Sequence, residues 1–177
     1  VVAGGAYGIE GVAHRAALAS GGDTIAVMAN GVDRPYPMGH RELLERVSDL
    51  GLMVSEVPPG AVPTRHRFIA RARLMAALSA TTVVVEAGAR SGSMTVARRA
   101  HELGRTVGAV PGPVTSATSV GPHQLISDGV ARVVTHADEI ELLHQSDRTR
   151  PRNDSLQHSS TPRVPSDPVS YDARRGM

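Results

Sequence analysis

Residues 81–110 read TTVVVEAGARSGSMTVARRAHELGRTVGAV. The opening run, Thr81 to Ala87, is β-branched and apolar with little alternation, the pattern of a strand covered on both faces. Gly88 to Gly92 reads as a turn. Ser93 to Leu103 then carries apolar residues at helical spacing, and Gly104 stops it. A second apolar run, Thr106 to Val110, follows at once and ends in Pro111-Gly112-Pro113. Strand, glycine-rich turn, helix and strand within about thirty residues make a βαβ unit, which requires a parallel sheet.

The same alternation extends in both directions. Upstream, Val1 to Ala3 reads as a strand, Ile9 to Ser20 as a helix ended by Gly21-Gly22, and Thr24 to Ala29 as a strand. Arg41 to Leu50 is amphipathic, with Leu43, Leu44, Val47 and Leu50 on one face and Arg41, Glu42, Glu45 and Arg46 on the other. Leu52 to Glu56 predicts a third strand, Val57 to Arg67 a loop, and Phe68 to Ser79 a helix. Downstream, a short helix near His123 to Ser127 precedes a strand, Ala131 to Thr135, and a helix, Ala137 to Leu143. The expected fold class is α/β, a doubly wound, mostly parallel sheet with helices on both faces.

Two boundaries are expected. The chain opens on a strand at Val1, which reads as a fragment whose N-terminal part is missing. From Gln145 onward Pro, Ser, Arg and Asp dominate, so residues 1–144 are expected to form the domain and 145–177 a disordered tail.

Composition narrows the function classes. The 177 residues are 41% apolar but only 2% aromatic, with one Phe, three Tyr and no Trp, so the core must be aliphatic. The absence of Cys removes disulfides and thiolate zinc sites. The eight His residues form no HExxH pair, so no metal is expected. No apolar run approaches the roughly 20 residues of a membrane span. A cytoplasmic location is expected.

Three segments carry candidate chemistry. Gly4-Gly5-Ala6-Tyr7-Gly8 joins a strand to a helix, where free N–H groups suit a phosphate. Its spacing is not the dinucleotide fingerprint GxGxxG, and no nicotinamide or other cofactor is expected. A plain tight turn fits these residues equally well. Arg90-Ser91-Gly92-Ser93-Met94-Thr95 offers hydroxyls and N–H groups at a helix start, suited to an anion and also to simple N-capping. Arg65-His66-Arg67-Phe68-Ile69-Ala70-Arg71-Ala72-Arg73 places four Arg around the one Phe. Cations tracking phosphates beside an aromatic face suit single-stranded nucleic acid. A core Phe at a helix start with a solvated Arg face is the competing account. No catalytic constellation is recognised; Glu56 and Glu86 end strands and are expected to cap turns or pair with Arg.

In order along the chain, Gly4-Gly5-Ala6-Tyr7-Gly8-Ile9-Glu10, Ala13-His14, Gly31-Val32-Asp33 with Tyr36-Pro37, Ser55-Glu56-Val57-Pro58, Phe68 with Arg71-Ala72-Arg73, Val85-Glu86-Ala87, Ser91-Gly92-Ser93-Met94-Thr95 and Ala109-Val110-Pro111-Gly112 resemble the motifs of the DNA-processing protein A (DprA/Smf) family. The resemblance runs from Val1 to about Leu143. It implies a Rossmann-like domain that binds single-stranded DNA without catalysis. It further implies protection of incoming DNA in natural transformation, loading of the RecA recombinase, and homodimers. Carried onto this chain, the DNA site comprises Gly5, Ala6, Arg65, Phe68, Arg71, Arg73, Gly92, Ser93 and Thr95. Ala72 stands where the family has Asn, Ile69 where it has Pro, and Pro122-His123 where it has a Cys- or Gly-Asn pair. A second reading is a nucleotide-binding enzyme or sensor, similar to the phosphoribohydrolase-like Rossmann group, although that group's PGGxGTxxE motif is absent.

Overall fold

A computed structural model describes residues 1–148, with the side chains of 146–148 left aside. Six strands alternate with six α-helices: β1 (Val2–Ala3), α1 (Ile9–Ala19), β2 (Ile25–Met28), α2 (Arg41–Leu50), β3 (Leu52–Ser55), α3 (Arg65–Leu78), β4 (Thr81–Val84), α4 (Gly92–Glu102), β5 (Thr106–Ala109), α5 (Val120–Ser127), β6 (Arg132–Val133) and α6 (Ala137–Arg148). One 3₁₀ turn, Met38–His40, leads into α2. The elements are those the hydrophobic pattern predicts, in the predicted order.

The strands form two three-stranded parallel sheets, β1-β2-β3 and β4-β5-β6. In the first, Val2 stands beside Ile25 and Ile25 beside Leu52; in the second, Thr81 stands beside Thr106 and Gly108 beside Arg132. No ladder joins β1 to β4, so the single sheet expected from sequence is divided in two. The fold is α/β and Rossmann-like, with helices flanking parallel sheets.

Each half has an aliphatic core. Ala26, Met28, Leu43, Leu44 and Val47 fill the first; Val84, Met94, Ala97, Val107 and Leu125 are among those that fill the second. Helices α3 and α4 pack along each other. Their buried residues, Ala72, Met75 and Ala76 against Met94, Ala97 and Ala100, are mostly Ala, which lets the two backbones come close. α6 covers β4 and β5. Its approach depends on Gly108, where a Cβ would lie 2.7 Å from Val134 Cγ2 and 2.9 Å from Leu143 Cδ1.

Several boundaries differ from expectation: β4 ends at Val84, short of Ala87, and β6 spans only Arg132–Val133. α3 begins at Arg65, because the Thr64 hydroxyl caps it by accepting the Arg67 N–H. α6 runs to Arg148, past the expected domain end at 144. Residues 149–177, most of the expected tail, lie outside the described residues.

One polar contact is sealed in the first half. His14 is wholly buried, its Nδ1 2.7 Å from Thr24 Oγ1, and its Nε2 has no partner. Burial lowers its pKa below the ordinary 6.5, with Glu10 opposing. The folded state therefore prefers neutral His14. This contribution is complete above the unfolded-state value and is lost as pH falls through the lower folded value. Below pH 6.5 one extra proton on the unfolded chain corresponds to at most about 1.4 kcal/mol of stability lost per pH unit. Urea denaturation midpoints from pH 7.5 to 5 should show this decline, and His14→Gln should flatten it. Equal slopes for the two proteins would show that His14 is not its source.

Candidate nucleic-acid interface

The turns that follow parallel strands gather at the carboxyl edge of a sheet, where ligands sit in open α/β folds. At the end of β1 the turn Gly4–Gly8 needs positive φ at Gly5 (73°) and Gly8 (82°), conformations costly for residues with a Cβ. The turn already holds an anion of its own. Glu10 Oε2 accepts the N–H groups of Gly4 at 3.0 Å and Ala6 at 2.8 Å. The Ala6 N–H, expected to face a phosphate, is thus bonded to an internal carboxylate.

The Arg/Phe segment lies beside this turn, and its members differ in placement. Arg71 points inward: its guanidinium donates to the carbonyls of Gly4 at 3.0 Å and Val27 at 3.1 Å, closing the ends of β1 and β2. Burial lowers its pKa, against the pull of Glu10. The expectation of a phosphate contact at Arg71 meets a physical obstacle, since the guanidinium is engaged by main-chain carbonyls. Its carbon also lies 5.0 Å from the centre of the Phe68 ring, a cation–π contact. Arg73 is exposed and pairs with Glu56, the strand-end carboxylate for which an Arg partner was the simpler expectation. Arg65 is exposed; Arg67 is half-buried and donates to the Val62 carbonyl.

Phe68 sits in the first turn of α3 and is half-buried. Its ring meets that of Tyr36 at 5.9 Å between centroids, tilted by 57°. Tyr36, 42% exposed, is the outer ring of the pair. Sequence reasoning did not bring it to Phe68: the Gly31–Pro37 motif was visible, but nothing local says that a loop 32 residues upstream folds onto Phe68. Tyr7 forms a second aromatic contact, edge-on to His40 at 4.7 Å, and its hydroxyl accepts the Gly39 N–H.

The second turn follows β4. Ser91 caps α4, its hydroxyl accepting the Ser93 N–H at 3.3 Å, so capping accounts for that donor. Gly92 is exposed; Ser93 and Thr95 are half-buried. Ser91 and Thr95 line a shallow hollow with Arg90, Arg98 and Arg99. Arg98 pairs with Asp128 and Arg99 with Glu102, while Arg90 has no ion-pair partner among the described residues. Ser93 and Glu10 also line one common cleft, which brings the two glycine-rich turns to its rim. Among the described residues no cluster of His, Asp and Glu could hold a metal ion, and no helix is long and apolar enough to cross a membrane.

Comparison with known proteins identifies the family. The model of the family "DNA recombination-mediator protein A" matches residues 1–144. A DNA processing protein DprA of Mycobacterium tuberculosis is 57% identical over 140 residues, covering 79% of this chain and 36% of that protein. The crystal structure of DprA from Streptococcus pneumoniae superposes with a TM-score of 0.74 at 40% identity, over 80% of this chain and 50% of that one. DprA from Helicobacter pylori, whose structure was described for its single-stranded DNA binding mode, gives a TM-score of 0.74 at 29% identity, over 82% and 66%. The chain thus spans between about a third and two thirds of these proteins' lengths. By the extent and identity of these matches, the chain belongs to the DNA recombination-mediator protein A family.

Proposed function

We propose that this chain binds single-stranded DNA without altering it chemically. The observation that carries the reading is the Tyr36–Phe68 ring pair beside the exposed Arg65 and Arg73, at the strand ends that also bear the two glycine-rich turns. Bases stack on the rings, with Tyr36 outermost, and the cations hold neighbouring phosphates. Arg71 acts through Phe68 and the Gly4 turn rather than on DNA directly. Gly92, Ser93 and Thr95 form the far side of the path. Gly5 and Ala6 form its floor, where the Glu10 carboxylate directs phosphates toward the Arg residues. A nucleotide enzyme or sensor would need the Gly4–Gly8 turn open to phosphate, and Glu10 closes it. In the cell the proposed role is DNA processing in natural transformation: a cytoplasmic homodimer protects incoming strands and promotes loading of the RecA recombinase. Family membership and the DNA-binding relative support this role.

A titration with oligo-dT across salt tests the proposal. The log–log slope of affinity against salt is expected to be about −0.7 for each phosphate neutralised. Salt-insensitive binding, preference for duplex, or full competition by a mononucleotide would overturn it. Glu56→Gln frees Arg73 from its exposed ion pair. The expected result is affinity up to about fivefold tighter and a slope steeper by somewhat under one unit. An unchanged slope would place Arg73 off the DNA path.

A further inference from the structure

Every Phe and Tyr among the described residues follows the carboxyl end of a strand in the first ladder: Tyr7 after β1, Tyr36 after β2 and Phe68 after β3. Neither core contains one. Tyr36 and Phe68 pair with each other, whereas Tyr7 stands apart and is 64% exposed. Tyr7 is nevertheless held in place. Its hydroxyl accepts the Gly39 N–H at 3.0 Å, and its ring meets His40 edge-on. His40 is itself buried, and its Nδ1–H donates to the Gly5 carbonyl at 3.0 Å. Two glycines make room for this seat. A Cβ at Gly39 would lie 2.5 Å from the Tyr7 hydroxyl oxygen, and one at Gly11 would overlap His40 Cε1. Fixing an exposed ring costs rotamer freedom and gains little burial. That cost is recovered where the ring is kept ready for a ligand. The seat is also continuous with the first ring pair. Tyr36 and Gly39 are three residues apart, so their backbones lie within about 11 Å of each other. The segment from Tyr36 to His40 thus carries one ring pair at its start and clasps Tyr7 at its end.

We propose that Tyr7 is a second base platform: a single strand stacked on Tyr36 and Phe68 continues along residues 36–40 and lays a further base on the Tyr7 ring. The inference rests on the single-stranded DNA reading and adds to it a subsite for a planar base rather than a phosphate. The Glu10 carboxylate fits that choice. It occupies the N–H groups of Gly4 and Ala6, next to Tyr7 in the chain, and repels a phosphate placed there. An uncharged base meets no such barrier. Every base offers a π-face, so Tyr7 reads no sequence. What it registers is the length of strand that extends beyond Tyr36.

The chain has no Trp, so its intrinsic emission comes from tyrosine. Tyr36→Phe combined with Tyr171→Phe leaves Tyr7 as the one emitting tyrosine and keeps every ring. Titration with oligo-dT is expected to quench this emission saturably, with the midpoint read from the anisotropy of a labelled oligomer. An oligomer built of abasic sugars is expected to cause no quenching. In the otherwise unaltered chain, Tyr7→Ala should weaken oligo-dT binding about fivefold or more at fixed salt, with the salt slope unchanged. Tyr7→Phe, which keeps the ring and loses the hydroxyl, should stay within about twofold. The loss in Tyr7→Ala should vanish for oligomers too short to reach from Tyr36 to Tyr7. Oligo-dT binding without quenching would place Tyr7 off the path and overturn the proposal. Equal losses for Tyr7→Ala and Tyr7→Phe would make Tyr7 a strut for its turn, and would overturn it too. Failure of the unaltered chain to bind oligo-dT would overturn the DNA reading, and the second platform with it.

Discussion

Arg71→Ala is expected to lower folding stability by about 2–4 kcal/mol. Two charge-assisted bonds, to the Gly4 and Val27 carbonyls, are lost together with the contact to Phe68. Hydrogen bonds to charged groups contribute roughly 1.5–3 kcal/mol each, and the desolvation of a buried guanidinium offsets part of that gain. Arg71→Lys should recover little, because an ammonium lacks the planar fork that reaches two carbonyls while lying over a ring. Gly4→Ala should act in the same direction, since a Cβ there would fall 2.4 Å from the Arg71 guanidinium carbon and push it out. Urea denaturation of the three variants measures this. A loss under about 1 kcal/mol for Arg71→Ala would show that water replaces the guanidinium at the strand ends.

The largest effect on binding is expected from the ring pair. Stacking a base on an aromatic face contributes about 1–3 kcal/mol, so Tyr36→Ala should weaken oligo-dT binding roughly five- to a hundredfold at fixed salt. Tyr36 is exposed, so its loss should change stability by less than about 1 kcal/mol. Phe68→Ala should weaken binding to a similar degree and also destabilise the fold, because its half-buried ring fills the space between Tyr36 and Arg71. Rings that touch share one platform, so the double variant should lose less than the sum of the single losses. Neither change should alter the salt slope. If Phe68→Ala lowers stability by the roughly 3–5 kcal/mol of a core Phe while Tyr36→Ala binds normally, the pair is packing and not a stacking surface.

How much was legible in the sequence depended on range. The βαβ unit at 81–110 and the amphipathic α2 follow from local periodicity, and the structure places α2 at Arg41–Leu50 as read. The start of α3 was misplaced because Thr64, its cap, lies within a Pro- and Gly-rich stretch that reads as loop. The divided sheet was not legible, since strand pairing is a long-range property and each strand alone looks equally buried. Within the candidate site, composition singled out the Arg/Phe segment as a unit but could not tell its members apart. Arg71 and Arg73 are two residues apart on α3, yet one faces strand-end carbonyls and the other a surface carboxylate. Nor could sequence show that Glu10 turns back onto the N–H groups of Gly4 and Ala6.

The separation into two ladders also bears on how the chain acquires its shape. Every strand pairing joins neighbours in the sequence: β1 to β3 lie within residues 2–55, and β4 to β6 within 81–133. Contacts of short sequence separation have low loop-closure entropy and form fast. The first ladder and its α2 cover therefore need no residue of β4 to form. Helix α3 touches β1 and β2 as well as α4, so it is the element through which the order of one ladder reaches the other.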